Sequence, residues 1–217
     1  MLYPDLFELA NYIRRLNTDI FLSITTNGKL VDEEMIAKIL QHFNAITLSI
    51  DGCSALTHSR LGRGSEHLQK NLWILKLISG KTKIKINSVA TRENINEFSG
   101  IKILLAPFSI NRWKIMRFYP ISYIAKTNQA DYQLSDREFL MLKKTLISPE
   151  GSSMRIEFSD INEFEKSYIS IYPNGDMHDG YSKIVGNLLT QSLDECLHSI
   201  DFSEHTIRKI SNANFAY

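Results

Sequence analysis

Cysteine is scarce in this sequence: Cys53 and Cys196 are the two thiols among 217 residues. Two thiols supply neither a disulfide framework nor a cysteine-rich zinc site, and an iron–sulfur cluster needs three or four thiolates. The six histidines show no spacing typical of metal ligands. The sequence therefore predicts no metal site of its own, and free cysteines are typical of a reducing cytosol.

A strong net charge and a long apolar run are also absent. Lys and Arg total 25 and Asp and Glu total 24, so the net charge is +1. This balance argues against a nucleic-acid-binding protein, which needs a strongly basic surface, but it is compatible with a small basic pocket. No stretch reaches the ~20 apolar residues of a membrane span, and no secretory leader follows Met1. We therefore expect a cytoplasmic protein that binds neither nucleic acid nor membrane.

Helical and strand patterns alternate over the first 120 residues. Apolar, β-rich runs lie at 20–26, 45–50, 83–89 and 113–118, and stretches with helical spacing separate them. Helices between strands of this length predict right-handed βαβ units and a parallel sheet, which is an α/β fold. The first two runs are apolar on both faces apart from small hydroxyl residues, which is typical of a sheet covered on both sides.

The pattern changes after Pro120. Residues 121–133 have no clear period and are interpreted as a loop. We interpret residues 121–217 as an extension that covers the sheet rather than as an independent domain. Further elements are expected there: a helix with a capping box of Ser135 and Glu138, strands at 154–158 and 168–172, a helix capped by Ser192 and Glu195, and a last helix from about Ser203.

Polar residues stand where parallel sheets bind their ligands, at the carboxyl ends of strands. Thr26 precedes an Asn-Gly turn, Ser49 comes shortly before Asp51, and Asn87 lies near the end of the third run. Arg63 lies between two glycines, which allow close backbone approach, and a guanidinium suits a carboxylate or phosphate. Each of these features, taken alone, is also explained by an ordinary βα turn or a solvated loop.

Basic residues recur on the third and fourth strands. Lys85 lies on the third strand, and Arg112 and Lys114 lie on the fourth. On adjacent strands the three cations could gather positive charge for a polyphosphate, whereas separately they would be solvated side chains. Tyr168 opens a later strand, where its phenol could donate a proton in a site or serve as a packing residue.

Five short motifs, in order along the chain, carry a resemblance to a known family. Lys-Ile-Asn-Ser-Val (85–89) and Asn-Arg-Trp-Lys (111–114) are the specific ones, and the segment around Tyr168 is similar to a C-terminal tyrosine segment of that family. The sequence resembles the viperin group of radical S-adenosylmethionine (SAM) enzymes from about residue 20 to its end. The motifs are Thr26-Asn27-Gly28, Leu48-Ser49-Ile50-Asp51, Leu61-Gly62-Arg63-Gly64, Lys85-Ile86-Asn87-Ser88-Val89 and Asn111-Arg112-Trp113-Lys114.

The resemblance implies both a fold and a reaction. The fold is a partial (βα)6 radical-SAM barrel, TIM-like and lacking its first strands, over residues 1–120, with an α+β extension over 121–217 that covers the nucleotide site. The cofactors are SAM and a [4Fe-4S] cluster, and the 5′-deoxyadenosyl radical takes a hydrogen from a nucleoside triphosphate, with CTP favoured. The family's lyase reaction gives a 3′-deoxy-3′,4′-didehydro nucleotide for antiviral defence.

The resemblance also implies roles for single residues. Arg63 would pair with the carboxylate of SAM, while Thr26, Ser49 and Asn87 would line its methionine and ribose. Tyr168 would be catalytic, facing the sugar and assisting loss of its hydroxyl. The triphosphate would be bound by three cations: Lys85, Arg112 and Lys114.

One feature of the family is missing from the sequence: the Cys-x3-Cys-x2-Cys loop that holds the cluster, together with a Gly-Gly-Glu-Pro segment. Neither Cys53 nor Cys196 matches a ligand position. We therefore expect a fragment that is inactive alone, with an N-terminal half that could be encoded separately. Two alternatives stay open: a non-catalytic nucleotide-binding or regulatory remnant, and a generic α/β protein with solvated basic residues.

Overall fold

A computed structural model describes residues 4–120, 123–127, 129–146, 154–160, 169–179 and 183–200. The chain divides into two compact units, Met1–Phe158 and Ser159–Tyr217, and each is described by itself. The strand start expected at Tyr168 and the helix expected from Ser203 lie outside the described residues.

The first unit is built on a five-stranded sheet in the order β1-β2-β3-β4-β5. Strands β1 to β4 pair in parallel, which confirms the α/β class expected from the alternating pattern. The strands are β1 (Ser23–Thr26), β2 (Ala45–Ser49), β3 (Lys83–Ala90), β4 (Arg112–Arg117) and β5 (Arg155–Ser159).

Eight α-helices are described in this unit, and side-chain caps fix where several of them begin. Asp32 accepts a hydrogen bond from the Met35 amide at 2.7 Å and begins α2, and Ser135 with Glu138 forms the predicted capping box of α8. The helices are α1 (Leu6–Leu16), α2 (Glu33–His42), α3 (Ala55–Arg60), α4 (His67–Ile78), α5 (Phe98–Leu105, after a 3₁₀ turn at Ile95–Glu97), α6 (Tyr123–Thr127), α7 (Gln129–Tyr132) and α8 (Asp136–Thr145).

Two expectations about local structure are wrong. The segment 121–133, interpreted as a loop, contains the short helices α6 and α7. The expectation that the first two strands are covered on both faces is correct for β2, where four successive positions are buried. It is wrong for β1, in which exposed and buried positions alternate. The reason is that β1 lies at an edge of the sheet, where one face receives less cover.

One face of the sheet is apolar and holds the core. Six strand side chains of this face are fully buried in a core that also contains residues of α2, α4 and α5, and burial of each aliphatic side chain stabilises the fold by roughly 1.5–3 kcal/mol. These six residues are Ile46, Leu48, Ile84, Ile86, Trp113 and Ile115. The opposite face carries the residues that stand between these six along the strands, because side chains alternate along a strand.

The second unit contains a small antiparallel sheet, β6 (Ser170–Ile171), β7 (Asp176–His178) and β8 (Ile184–Asn187), followed by α9 (Leu193–His198). A capping box of Ser192 and Glu195 begins α9, as predicted. Met177, Val185 and Cys196 form its core. Across the described parts of both units, no helix has the length and apolar character that a bilayer crossing requires.

Candidate functional site

Polar side chains form two rows across one face of the sheet, which we call the polar face. Strand pairing places Thr25, Thr47, Lys85 and Arg112 in one row, and Ser49, Asn87 and Lys114 in the next. Successive rows on the same face are two residues apart along each strand. The fold therefore brings five of the predicted site residues together: Ser49, Lys85, Asn87, Arg112 and Lys114.

The three cations of the polar face are close enough to perturb one another. Burial, followed by the charges of Arg112 and Lys114, lowers the pKa of Lys85 to about 8, whereas the charge of Glu157 acts in the opposite direction. Lys114 is itself buried. Desolvated cations that repel one another in this way are stabilised by a polyanionic ligand.

Glu157 on β5 is a site residue that sequence reasoning missed. Its Oε2 accepts a hydrogen bond from Arg112 Nε at 2.6 Å and a second from Arg112 Nη2. Its Oε1 lies 2.8 Å from Arg155 Nε. The alternation of charged and apolar residues in Arg-Ile-Glu-Phe (155–158) placed both charges on one strand face, but no sequence signal showed that β5 pairs beside β4.

Asn87 presents an unsatisfied acceptor at the centre of the polar face. Its Oδ1 is buried and has no hydrogen-bond partner among the described residues. Strand pairing places Asn87 between Ser49 and Lys114. A buried acceptor left without a partner costs roughly 1–3 kcal/mol, so a ligand hydroxyl or amine that reached this atom would bind with that gain.

Thr26 ends β1 in a different setting. It is paired with Leu48, whose side chain belongs to the core, and its Oγ1 accepts a hydrogen bond from the Gly28 amide at 3.1 Å. Gly28 has φ +79°, and a Cβ there would clash with Asn71. Thr26 therefore fixes the turn after β1 and does not share the polar face with Ser49 and Asn87.

Arg63 makes an ion pair with Asp51 just beyond the end of β2. The other carboxylate oxygen of Asp51 accepts a hydrogen bond from the Val89 amide at 2.7 Å. Asp51 is buried and Arg63 is partly exposed. The pair holds the segment after the short helix α3 against the ends of β2 and β3. Arg63 therefore already has a carboxylate partner.

A buried chain of hydrogen bonds supports the turns after β1 and β2. His58 Nε2 lies 3.1 Å from the Gly52 carbonyl, to which it donates, so the other nitrogen of the neutral ring is an acceptor. His67 Nδ1 then donates to His58 Nδ1 at 2.9 Å, and His67 Nε2 accepts from Asn71 Nδ2 at 3.1 Å. Asn71 Nδ2 also donates to the Ser49 carbonyl at 3.1 Å. With the protons in this order, both rings are neutral.

The pKa values of the two histidines agree with that requirement. Burial, followed by the neighbouring His58, lowers the pKa of His67 to about 4. Burial also lowers the pKa of His58, against smaller opposing effects of the Gly52 carbonyl and the Asp51 carboxylate. Sequence reasoning missed this pair because nine residues and a helix boundary separate the two rings along the chain.

The residues of this chain do not fit a [4Fe-4S] cluster. The two cysteines fall in different units: Cys53 lies against Gly100 with its pKa raised by burial and by Glu97, and Cys196 lies in the small core of the second unit. Across the ranges that the structure describes, no three His, Cys, Asp or Glu side chains converge to hold a metal ion. Tyr168, the predicted catalytic residue, lies outside those ranges.

The fold is that of radical SAM enzymes. SuiB of Streptococcus suis bound to S-adenosylmethionine superposes with a TM-score of 0.72 at 16% identity, over 95% of this chain and 54% of that chain. The enzyme anSMEcpe with bound AdoMet and a peptide gives a TM-score of 0.61 at 14% identity, over 95% of this chain and 64% of that chain. The expected TIM-like partial barrel is thereby confirmed.

A comparison of sequences adds a second group of similar proteins. A curated S-adenosylmethionine-dependent nucleotide dehydratase of Fibrobacter sp. (strain UWH6) is 27% identical over 210 residues, which are 86% of this chain and 61% of the relative. Another, of Psychrobacter lutiphocae, is 25% identical over 173 residues, which are 74% of this chain and 54% of the relative. No protein-family model matches the chain. The chain is therefore similar in fold to radical SAM enzymes and similar in sequence to S-adenosylmethionine-dependent nucleotide dehydratases, and it spans 54% to 61% of the length of these relatives.

Proposed function

We propose that the chain forms the nucleotide-binding part of a SAM-dependent nucleotide dehydratase, with its substrate on the polar face. The observation that carries this proposal is the group of three buried or half-buried cations beside the unsatisfied Asn87 amide. A nucleoside triphosphate supplies negative charge for Lys85, Arg112 and Lys114. The hydroxyl groups of the SAM ribose would supply donors for Asn87, beside the nucleotide.

The finer features of the proposal follow from the family resemblance. The substrate is CTP in preference to other nucleoside triphosphates, the product is the 3′-deoxy-3′,4′-didehydro nucleotide, and the setting is antiviral defence in the cytoplasm. Tyr168 is the proposed catalytic residue, and residues 121–217 are proposed to cover the nucleotide site. Fold similarity by itself would not support a choice of substrate, so these assignments depend on the motifs.

SAM is proposed to lie at the ends of β1 to β3. When bound, SAM would supply radical chemistry, whereas this chain's residues would bind and orient it. Ser49 and Asn87 would hold its methionine and ribose, while Thr26 would shape the adjoining turn. Arg63 would release the Asp51 carboxylate and bind the SAM carboxylate in its place, because the two carboxylates are chemically equivalent partners.

The cluster is proposed to be held by a polypeptide segment outside these 217 residues. Because the two cysteines do not fit it, no radical step is assigned to this chain, and we propose that the chain alone is inactive. The same observation favours a second candidate function, a non-catalytic nucleotide-binding or regulatory remnant. Addition of an N-terminal half that carries the cluster distinguishes the two, because only the first candidate then converts CTP.

Calorimetric titration of the full chain with CTP tests the proposed site. The double variant Lys85→Ala plus Lys114→Ala is expected to bind CTP at least about tenfold more weakly than wild type, because it loses two charged contacts. A matched control, Lys81→Ala plus Lys83→Ala, removes the same charge just before β3 and at its first residue. Its affinity for CTP is expected to stay within about twofold of wild type. Equal affinity in wild type and the Lys85 and Lys114 variant would exclude the polar face as the nucleotide site.

A further inference from the structure

One carboxylate competes for the cations of the polar face. Glu157 contacts Arg112 through both Nε and Nη2 of the guanidinium, and it also contacts Arg155. The side chains of Arg112 and Glu157 are 13% and 19% exposed, so water screens this ion pair only weakly. Loss of either partner would therefore leave a poorly hydrated charge behind.

The geometry sets up a direct competition with phosphate. A guanidinium binds a carboxylate or a phosphate through the same pair of parallel N–H groups. Glu157 occupies the Nε and Nη2 edge of Arg112. A phosphate group that takes this edge must displace Glu157, and one that binds beside it is repelled by the carboxylate.

Backbone pairing, rather than this ion pair, holds β5 beside β4. The Arg155 amide donates to the Asn111 carbonyl at 3.1 Å, and Ile156 and Phe158 pack into the core from the other face of β5. Phe158 also makes an edge contact with Phe139. The Glu157 carboxylate can therefore change partners without loss of the strand.

We propose that Glu157 is a specificity-determining residue, an internal counter-anion that occupies Arg112 until a polyphosphate displaces it. This inference rests on the proposed function of the polar face. A polyphosphate that contacts Lys85, Lys114 and Arg112 together offsets the lost ion pair. Inorganic phosphate makes fewer contacts and does not displace Glu157, so it is excluded from the site.

Neutralisation of Glu157 provides the test, with calorimetry on the full chain. Glu157→Gln is expected to bind CTP about tenfold more tightly than wild type, because no carboxylate opposes the phosphate, and to become sensitive to inorganic phosphate as a competitor. Glu157→Asp keeps the charge and is expected to stay within about threefold of wild type. Glu157→Ser serves as a second neutral variant, and thermal unfolding of each variant checks that it folds.

The number of protons taken up when CTP binds is a second measurement, and it would not change if Glu157 had a purely structural role. The ionisable groups that act on Lys85 are Arg112 and Lys114 on β4 and Glu157 on β5. Since the pKa of Lys85 is about 8, wild type is expected to take up about half a proton on binding CTP at pH 8. Loss of the Glu157 charge lowers the pKa of free Lys85 further, so Glu157→Gln is expected to take up more. Titrations in buffers of different ionisation enthalpy measure this number.

The outcomes separate this proposal from the proposed function. Tighter CTP binding and greater proton uptake in both neutral variants support Glu157 as a counter-anion. CTP binding that is present in wild type but equal or weaker in the neutral variants overturns this proposal alone, and would assign Glu157 a role in orienting Arg112. Absence of binding of CTP and of inorganic tripolyphosphate in wild type and all variants overturns both proposals.

Discussion

His58 and His67 share a hydrogen bond between their two Nδ1 atoms, 2.9 Å apart, in the buried layer beneath the turns after β1 and β2. His67 donates and His58 accepts, so a proton added to His58 Nδ1 would face the donor of His67, and a proton added to His67 Nε2 would face the Asn71 Nδ2 donor. Asn71 extends the chain to the carbonyl of Ser49. The turns beside the polar face therefore depend on a neutral histidine pair.

A loss of stability at mildly acidic pH follows from this pair. The pKa of His67 is lowered from 6.5 to about 4 in the folded protein, so the unfolded chain binds more protons between these values. The free energy of unfolding is expected to fall as the pH drops from about 6.5 to about 4, by up to about 3 kcal/mol, and to be fully regained above that range.

Urea denaturation at several pH values measures this loss. The variant His67→Gln has no titrating ring at this position and is expected to lose most of the pH dependence, whereas His198→Gln, in the second unit, is expected to keep it. A wild-type unfolding free energy that stays constant between pH 4.5 and 7 would be incompatible with a buried neutral pair.

Gly28 is expected to tolerate no side chain. Its φ of +79° is unfavourable for alanine, and a Cβ would also meet Asn71 Oδ1 and, at 2.9 Å, Ile74 Cδ1. Gly28→Ala is expected to lower the free energy of unfolding by about 3 kcal/mol. Gly80→Ala is the matched control, because Gly80 has φ +77° with open space around it, and it is expected to cost about 1 kcal/mol. Equal losses in the two variants would show that the contact with Asn71 has no effect.

Asn87 is expected to lower the free energy of unfolding and to strengthen ligand binding. Replacement by leucine removes the buried, unsatisfied Oδ1 and is expected to raise the free energy of unfolding by about 1 kcal/mol while weakening ligand binding. Asn111→Leu is the control, since Asn111 Oδ1 accepts a hydrogen bond from the Ile84 amide at 2.8 Å, and its loss is expected to cost about 1–3 kcal/mol. Thermal unfolding of both variants decides whether the two amides differ in this way.

Periodicity and capping motifs allowed much of the fold to be predicted. The strands that became β2, β3 and β4 were expected within one or two residues, because each has a clear apolar pattern. The capping boxes before α8 and α9 were also expected, since Ser and Glu three residues apart satisfy the first amides of a helix. Such signals are local, and they survive folding because tertiary contacts reinforce them.

Short elements and long-range pairs could not be predicted. The helices α3, α6 and α7 have four to six residues, too few for a helical period to appear in the sequence. The ion pair of Glu157 with Arg112 joins residues 45 positions apart through the pairing of β5 with β4. The cations of the polar face were predictable as a group because a parallel sheet places them in register, whereas the anion that pairs with them was not.

The most direct test of the account is a calorimetric titration of the full wild-type chain with CTP at low and at high salt. The account predicts saturable binding at about 50 mM salt, with an affinity that falls several-fold at about 500 mM, because the site acts through partly screened charges. Absence of CTP binding at low salt, in a protein that is folded by circular dichroism, would contradict the central claim that the polar face is a nucleotide site.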